Sequence, residues 1–145
     1  MKTLDLYLAH NLNIRKKIRK IEKQLEEKYN VNLFNPFYDS KRDDIDRIDN
    51  GDVNRWELDM ESCRNLVRRD LGNITRRDGL VTLIQKPSIG TTLEIGYAKQ
   101  KGKIIIVISE KYVDHPWIRV YADYRFRNIT EFEEWLKTTV GLRER

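Results

Sequence analysis

Chemistry in this chain has to come mainly from carboxylates and hydroxyls, because other reactive side chains are scarce. The histidines are His10 and His115, and the one cysteine is Cys63. They do not sit at metal-ligand spacing, so a zinc site is not expected. Asp46, Asn50, Gly51 and Glu57 partly fit a calcium loop, but the third ligand position is Ile48. Pro36 also precludes a helix immediately before that loop, so calcium is not expected either. Glu94 stands about one turn into a helix that leaves the loop Gln85–Gly90. By spacing alone it reads as an ordinary N-terminal helix charge, favourable to the macrodipole. Ser88, just ahead of it, reads equally as a capping serine.

The elements that must position these groups alternate between strand and helix. Leu4–Ala9 is a short apolar run of strand type, and Asn13 is placed to cap an amphipathic helix reaching about Tyr29. Within it, Ile14, Ile18, Ile21 and Leu25 recur at helical spacing, which turns Arg15, Lys16, Lys17, Arg19, Lys20 and Lys23 toward solvent. Val31–Phe34 is a second strand, ended by Asn35-Pro36. A polar, Asp-rich stretch follows from Phe37 to Leu58, with a turn signal at Asn50-Gly51. Loops of that length in compact domains tend to carry function or motion.

A helix over Asp59–Arg76, a strand at Gly79–Ile84 and a helix over Thr91–Lys101, closed by Gly102, come next. Ile104–Ile108 is a continuous β-branched run, as in strands buried on both faces. After a loop at His115-Pro116, a short fifth strand is expected near Tyr124–Phe126 and a last helix over Ile129–Leu136. The alternation predicts a doubly wound α/β domain over residues 1–145, with about five mainly parallel strands and helices on both faces. Such sheets bind ligands beyond the carboxyl ends of their strands. His10-Asn11, Pro36–Ser40 and Gln85–Gly90 should therefore border one cleft.

Composition narrows the class. The 145 residues include 28 Lys plus Arg against 23 Asp plus Glu, a net charge of +5. That balance favours anionic partners without choosing among them. Arg64, Arg68, Arg69, Arg76 and Arg77 lie beside acids and no nucleic-acid module is present, so nucleic-acid binding is a minor alternative. No apolar run is long enough to cross a membrane. A lone cysteine and the absence of a signal-peptide layout point to a reducing, cytoplasmic setting.

Two stretches resemble a known family. Asp70-Leu71-Gly72-Asn73-Ile74-Thr75-Arg76-Arg77-Asp78 precedes Pro87-Ser88-Ile89-Gly90-Thr91-Thr92-Leu93-Glu94-Ile95-Gly96-Tyr97-Ala98. Together they resemble the nucleoside 2-deoxyribosyltransferases, and Tyr7-Leu8-Ala9 and Phe34-Asn35-Pro36-Phe37 fit the opening half. The resemblance covers about residues 4 to 108. It implies that Glu94 is the nucleophile, Asp70 the proton partner of the base and Tyr7 the residue orienting Glu94. Asp78 resembles a structural residue at a strand start. Where the transferases have an aspartate for the sugar 5′-hydroxyl, this chain has Ser88, six residues before Glu94. Its Pro-Ser-x-Gly-x-x-x-Glu form is closer to the 2′-deoxynucleoside 5′-phosphate N-hydrolases, in which that serine contacts the phosphate. An aspartate would repel a phosphate dianion, whereas a hydroxyl and helix N-terminal amides attract it. The glycine-rich, arginine-bearing first loop of those hydrolases is replaced by His10-Asn11-Leu12-Asn13-Ile14-Arg15. Arg15 or His10 is the replacement on offer for the phosphate, and Asn11 and Gly90 are further candidate substrate-binding residues.

The chemistry implied is cleavage of an N-glycosidic bond through an oxocarbenium-like state, by two carboxylates and without a cofactor. Water as acceptor makes the enzyme a hydrolase, and a second base makes it a transferase. Phe37 and Trp117 are candidate stacking partners for the base, or else ordinary packed aromatics. The resemblance also implies a homo-oligomer, with Asp114–Arg119 about where a neighbouring subunit would complete the site. A non-catalytic nucleotide sensor on the same fold is the alternative of another class. Both carboxylates argue against it, since a pure binder needs neither beside the anomeric carbon.

Overall fold

The computed structural model describes residues 3–40, 45 and 57–144. The Asn50-Gly51 turn and most of the acidic stretch lie outside the described residues. Among these residues one sheet contains β1 (Leu4–Ala9), β2 (Val31–Phe34), β3 (Gly79–Leu83), β4 (Ile104–Ile108) and β5 (Tyr124–Phe126). Its order is β2-β1-β3-β4-β5, and every pairing is parallel. The helices are α1 (Arg15–Lys28), α2 (Met60–Thr75), α3 (Ile89–Gln100), α4 (Pro116–Tyr121) and α5 (Ile129–Thr139). This is the doubly wound α/β sheet expected from the alternation of elements.

Side-chain alternation along the strands builds two cores. Leu6, Leu8, Leu33, Val81 and Ile106 face Ile18 and Leu25 of α1 and Phe132 and Leu136 of α5. Tyr7, Ala9, Leu80, Ile105 and Val107 face the opposite way, onto Ile74 of α2 and Ile95 and Ala98 of α3. The helices on both faces are what make β4 apolar on both sides. Gly79 is required where β3 meets β4, because a Cβ there would lie 2.6 Å from the Ile104 carbonyl oxygen. Gly102, at φ 70°, ends α3 in the left-handed region that favours glycine.

Several boundaries differ from the sequence reading. Asn11, not Asn13, supplies the first cap: its side chain accepts from the Asn13 N–H at the start of a 3-10 turn over Leu12–Ile14. Helix α3 starts at Ile89, because Ser88 caps it through the Thr91 N–H. Helix α4 replaces the expected loop after His115-Pro116, with His115 as cap and Pro116 in the first turn. Asp78 has the structural place expected of it, accepting from the Asp5 N–H at 2.9 Å.

At the amino ends of the strands, far-separated segments converge on Asn30. Its carbonyl accepts from Leu4 N–H at 3.1 Å, and its own N–H donates to the Gly141 carbonyl at 3.0 Å. Arg143 closes the knot, with Nη2 donating to the Val31 carbonyl at 2.6 Å.

Candidate active site

The strand order reverses between β1 and β3, since β2 lies beyond one of them and β4 beyond the other. Their carboxyl ends diverge into separate loops there, which is where an open α/β sheet leaves a crevice. A cleft of about 400 Å³ occupies the place. Tyr7, Asp70 and Glu94 line it together with Ser88 and Gly90. The wall on the β2 side is His10, Asn11, Pro36 and Phe37, and Leu66, Val67 and Leu71 of α2 close the other side.

Tyr7 is fully buried in β1, paired with Phe34 and Leu80 on the neighbouring strands. Its ring stacks on Phe34 at 6.1 Å, and the Arg77 guanidinium lies over the Phe34 ring at 3.8 Å. Thus the phenol has little freedom. Its hydroxyl donates to Oε2 of Glu94, which is half-buried on α3. A rigid donor from a central strand therefore fixes one oxygen of a carboxylate carried by a helix. Asp70 reaches the same cleft, half-buried, from the last turns of α2.

The first turn of α3 forms the floor near Glu94. The Ser88 Oγ accepts from Thr91 N–H at 3.3 Å, and its carbonyl accepts from Thr92 Oγ1 at 2.9 Å. Capping uses an acceptor site of the Ser88 hydroxyl, which leaves its O–H as a donor. The capping and ligand readings of Ser88 are therefore compatible. Apart from its own turn of helix, no described protein atom lies within 4 Å of the position a Gly90 Cβ would take, so this turn exposes its backbone. The first N–H groups of a helix lack intrahelical partners and suit an anion.

The remaining expected residues divide. His10 is 4% exposed, and its Nδ1 faces the Asn11 carbonyl at 3.0 Å, so the proton sits on Nδ1. Burial pushes the imidazole below its ordinary range, outweighing the raising effects of Asn11 and Asn35. A neutral ring brings no charge to a phosphate, which alters the part expected of His10. Arg15 is not among the lining residues, and its Nη1 donates to the Leu12 carbonyl at 3.1 Å. Trp117 is also outside this cleft. It is 68% exposed on α4 and lines a second hollow of about 380 Å³ with His115 and Tyr121, beyond Ser88 and Thr91. Ser88 and Thr91 line both hollows.

Sequence reading passed over Glu22. Only 1% of it is exposed although it lies among lysines and glutamates. The signal was present: position 22 follows Ile18 by four residues and precedes Leu25 by three, on the buried stripe of α1. Among the described residues no group of acidic, histidine and cysteine side chains is placed to hold a metal, and no helix is long and apolar enough to cross a membrane.

No family model matches the sequence, and no curated protein matches it significantly. Solved structures do share its shape. A 2-deoxyribosyltransferase from Bacillus psychrosaccharolyticus is similar at 17% identity and a TM-score of 0.65, over 97% of this chain and 98% of that one. A conserved protein from Enterococcus faecalis is similar at 15% identity and a TM-score of 0.62, over 95% of this chain and 99% of that one. A CMP N-glycosidase from Clostridium botulinum is similar at 18% identity and a TM-score of 0.53, over 92% and 98% of the two chains. At these identities the likeness, carried by the TM-scores, is one of fold alone.

Proposed function

We propose that this chain is an enzyme that cleaves the N-glycosidic bond of a nucleoside 5′-monophosphate, releasing free base and sugar phosphate. The observation that carries the reading is the Tyr7 hydroxyl donating to Glu94 in a cleft that Asp70 also lines. It is supported by the activities of two proteins of the same fold, a deoxyribosyltransferase and a CMP N-glycosidase.

In this reading the Glu94 carboxylate bonds to the anomeric carbon as the carbon–nitrogen bond breaks. The electron pair leaves with the base, which takes a proton from the Asp70 carboxyl. Tyr7 holds Oε2, so Oε1 is the attacking oxygen and the carboxylate enters the reaction already oriented. Water then attacks the anomeric carbon of the glycosyl–Glu94 ester, its proton passing to Asp70 and Glu94 leaving as carboxylate, which frees the sugar phosphate and restores both carboxyl groups. The 5′-phosphate sits at the first turn of α3, where the Ser88 hydroxyl and the N–H groups of Ile89 and Gly90 meet it. Phe37 packs against the base.

A second base taking the place of water would give deoxyribosyl transfer from the same intermediate. Ser88 favours the nucleotide substrate over the nucleoside, because no carboxylate stands at that position to repel a phosphate. The test incubates the protein with a panel of nucleosides and 5′-monophosphates, then measures free base. Monophosphates should release base, and the Glu94→Ala variant, folded as judged by circular dichroism, should not. Near-normal turnover in that variant overturns the assignment.

A further inference from the structure

Behind the β2 wall of the cleft lies a carboxylate that the reaction above does not use. Glu22 projects from α1 toward Asn35, which is fully buried at the end of β2. The Asn35 Nδ2 donates to Glu22 Oε1 at 2.6 Å. Arg19 Nη1 donates to Glu22 Oε2 at 3.3 Å and to Asp39 Oδ1 at 3.1 Å. The other Asp39 oxygen accepts from the Asn35 backbone N–H at 2.9 Å. These residues make a closed ring that ties α1 to the loop after β2. On its cleft side, Asn35 Oδ1 accepts from the Phe37 N–H at 3.0 Å. The Phe37 ring in turn packs on the His10 ring, with centroids 4.9 Å apart.

Packing alone would not select a carboxylate here. Glu22 lines a small hollow whose other walls, Leu8, Leu33 and Val81 of the sheet and Ile129 and Phe132 of α5 among them, are all apolar. A leucine would complete the stripe of Ile18 and Leu25 without the desolvation that a buried charge incurs. What a leucine cannot do is hold the Asn35 amide.

We propose that Glu22 and Asn35 are positioning residues of the cleft. Through the Asn35 amide, Glu22 fixes the His10–Phe37 wall against which the substrate's base packs. The inference rests on reading this cleft as the base-releasing site.

The charged groups facing Glu22 are Arg19 and Glu26 on α1 and Asp39 beyond β2. Burial pushes the Glu22 carboxyl up to about 7, against the pull of Asn35 and Arg19. Protonation below that pH removes the charge that grips Arg19 and Asn35, so the wall loosens on the acid side. Folding stability runs the other way. With the folded-state value raised from 4.5, Glu22 favours the fold fully below pH 4.5, and that contribution is lost as pH rises through about 7. A purely structural Glu22 would therefore weaken the site on the alkaline side, and a positioning Glu22 on the acid side.

The experiment measures KM and kcat for base release between pH 5.5 and 8.5 in the parent, Glu22→Gln and Glu22→Leu. In parallel, proton NMR follows the imidazole signals, assigned between His10 and His115 with a His115→Gln variant. We expect the parent's KM to rise on the acid side, while Glu22→Gln, which is neutral at every pH, shows no such pH-dependent rise. Glu22→Leu should raise KM about ten- to a hundredfold with a smaller change in kcat. The His10 signal should show a step near pH 7 in the parent that Glu22→Gln abolishes. Parental KM in Glu22→Leu, or a His10 step unchanged in Glu22→Gln, overturns the proposal. The NMR arm needs neither a folded leucine variant nor turnover. If the parent releases no base yet its His10 step disappears in Glu22→Gln, the coupling stands and the base-release reading fails.

Discussion

Removing one oxygen atom, Tyr7→Phe, isolates the contact on which the catalytic reading depends most. The phenyl ring keeps its stack on Phe34 and its place between the paired strands, so the sheet loses no packing. What goes is the O–H donated to Glu94 Oε2. A hydrogen bond to a charged group contributes roughly 1.5–3 kcal/mol. With about 1.4 kcal/mol per factor of ten, kcat should fall about ten- to a hundredfold. The substrate does not touch the Tyr7 hydroxyl in this scheme, so KM should change less than threefold or so, about 0.6 kcal/mol. The assay is release of free base under saturating substrate, with denaturant midpoints measured alongside. A kcat within a factor of two of the parent would refute the idea that Tyr7 orients the nucleophile. A loss found only in KM would place Tyr7 against the substrate instead.

Other substitutions probe separate links. Asp70→Asn keeps shape but removes the transferable proton, so turnover should collapse while affinity for a non-reacting nucleotide, measured calorimetrically, changes little. Ser88→Asp should reduce the ratio of monophosphate to nucleoside cleavage by about ten- to a hundredfold, because a hydrogen bond to a charged partner is replaced by repulsion; an unmoved ratio would leave Ser88 only its cap. Gly79→Ala forces a Cβ to 2.6 Å from the Ile104 carbonyl oxygen. It should destabilise the fold by about 1–3 kcal/mol in denaturant titrations, with the catalytic constants of the folded fraction unchanged.

Local patterns recorded the sheet clearly. Ile104–Ile108 is legible because both faces of a central parallel strand are buried, and Leu4–Ala9 for the same reason. Helix α4 was hidden because it spans six residues, and Trp117 and Val120, which would normally mark a buried face, lie in solvent. His115-Pro116 is its start signal, a pair that by itself suits a loop equally well. Helix α3 starts two residues before the expected Thr91, a start concealed because Ile89 is 74% exposed and Gly90 is a poor helix former. The cleft grouping of Tyr7, Asp70 and Glu94 came from motif resemblance, since spacing cannot bring residue 7 to residue 94. Arg15 and Trp117 stand elsewhere for a shared reason: where a long side chain points depends on tertiary packing, not on its nearness to a motif. Glu22 was obscured by composition, which reads a carboxylate among lysines as solvated.

The convergence on Asn30 also orders events in time during synthesis. Ribosomal synthesis delivers α1 and β2 early, yet the Asn30 N–H finds its acceptor only in Gly141, and the Val31 carbonyl its donor in Arg143. A chain arrested just past β5 could assemble the sheet around β1, β3 and β4 while the α1–β2 junction still exchanged its amides with water. The emerging protein would then acquire its cleft floor on α3 before the segment leading into its β2 wall is locked. Final tightening of that junction would wait for Gly141 and Arg143 to leave the exit tunnel.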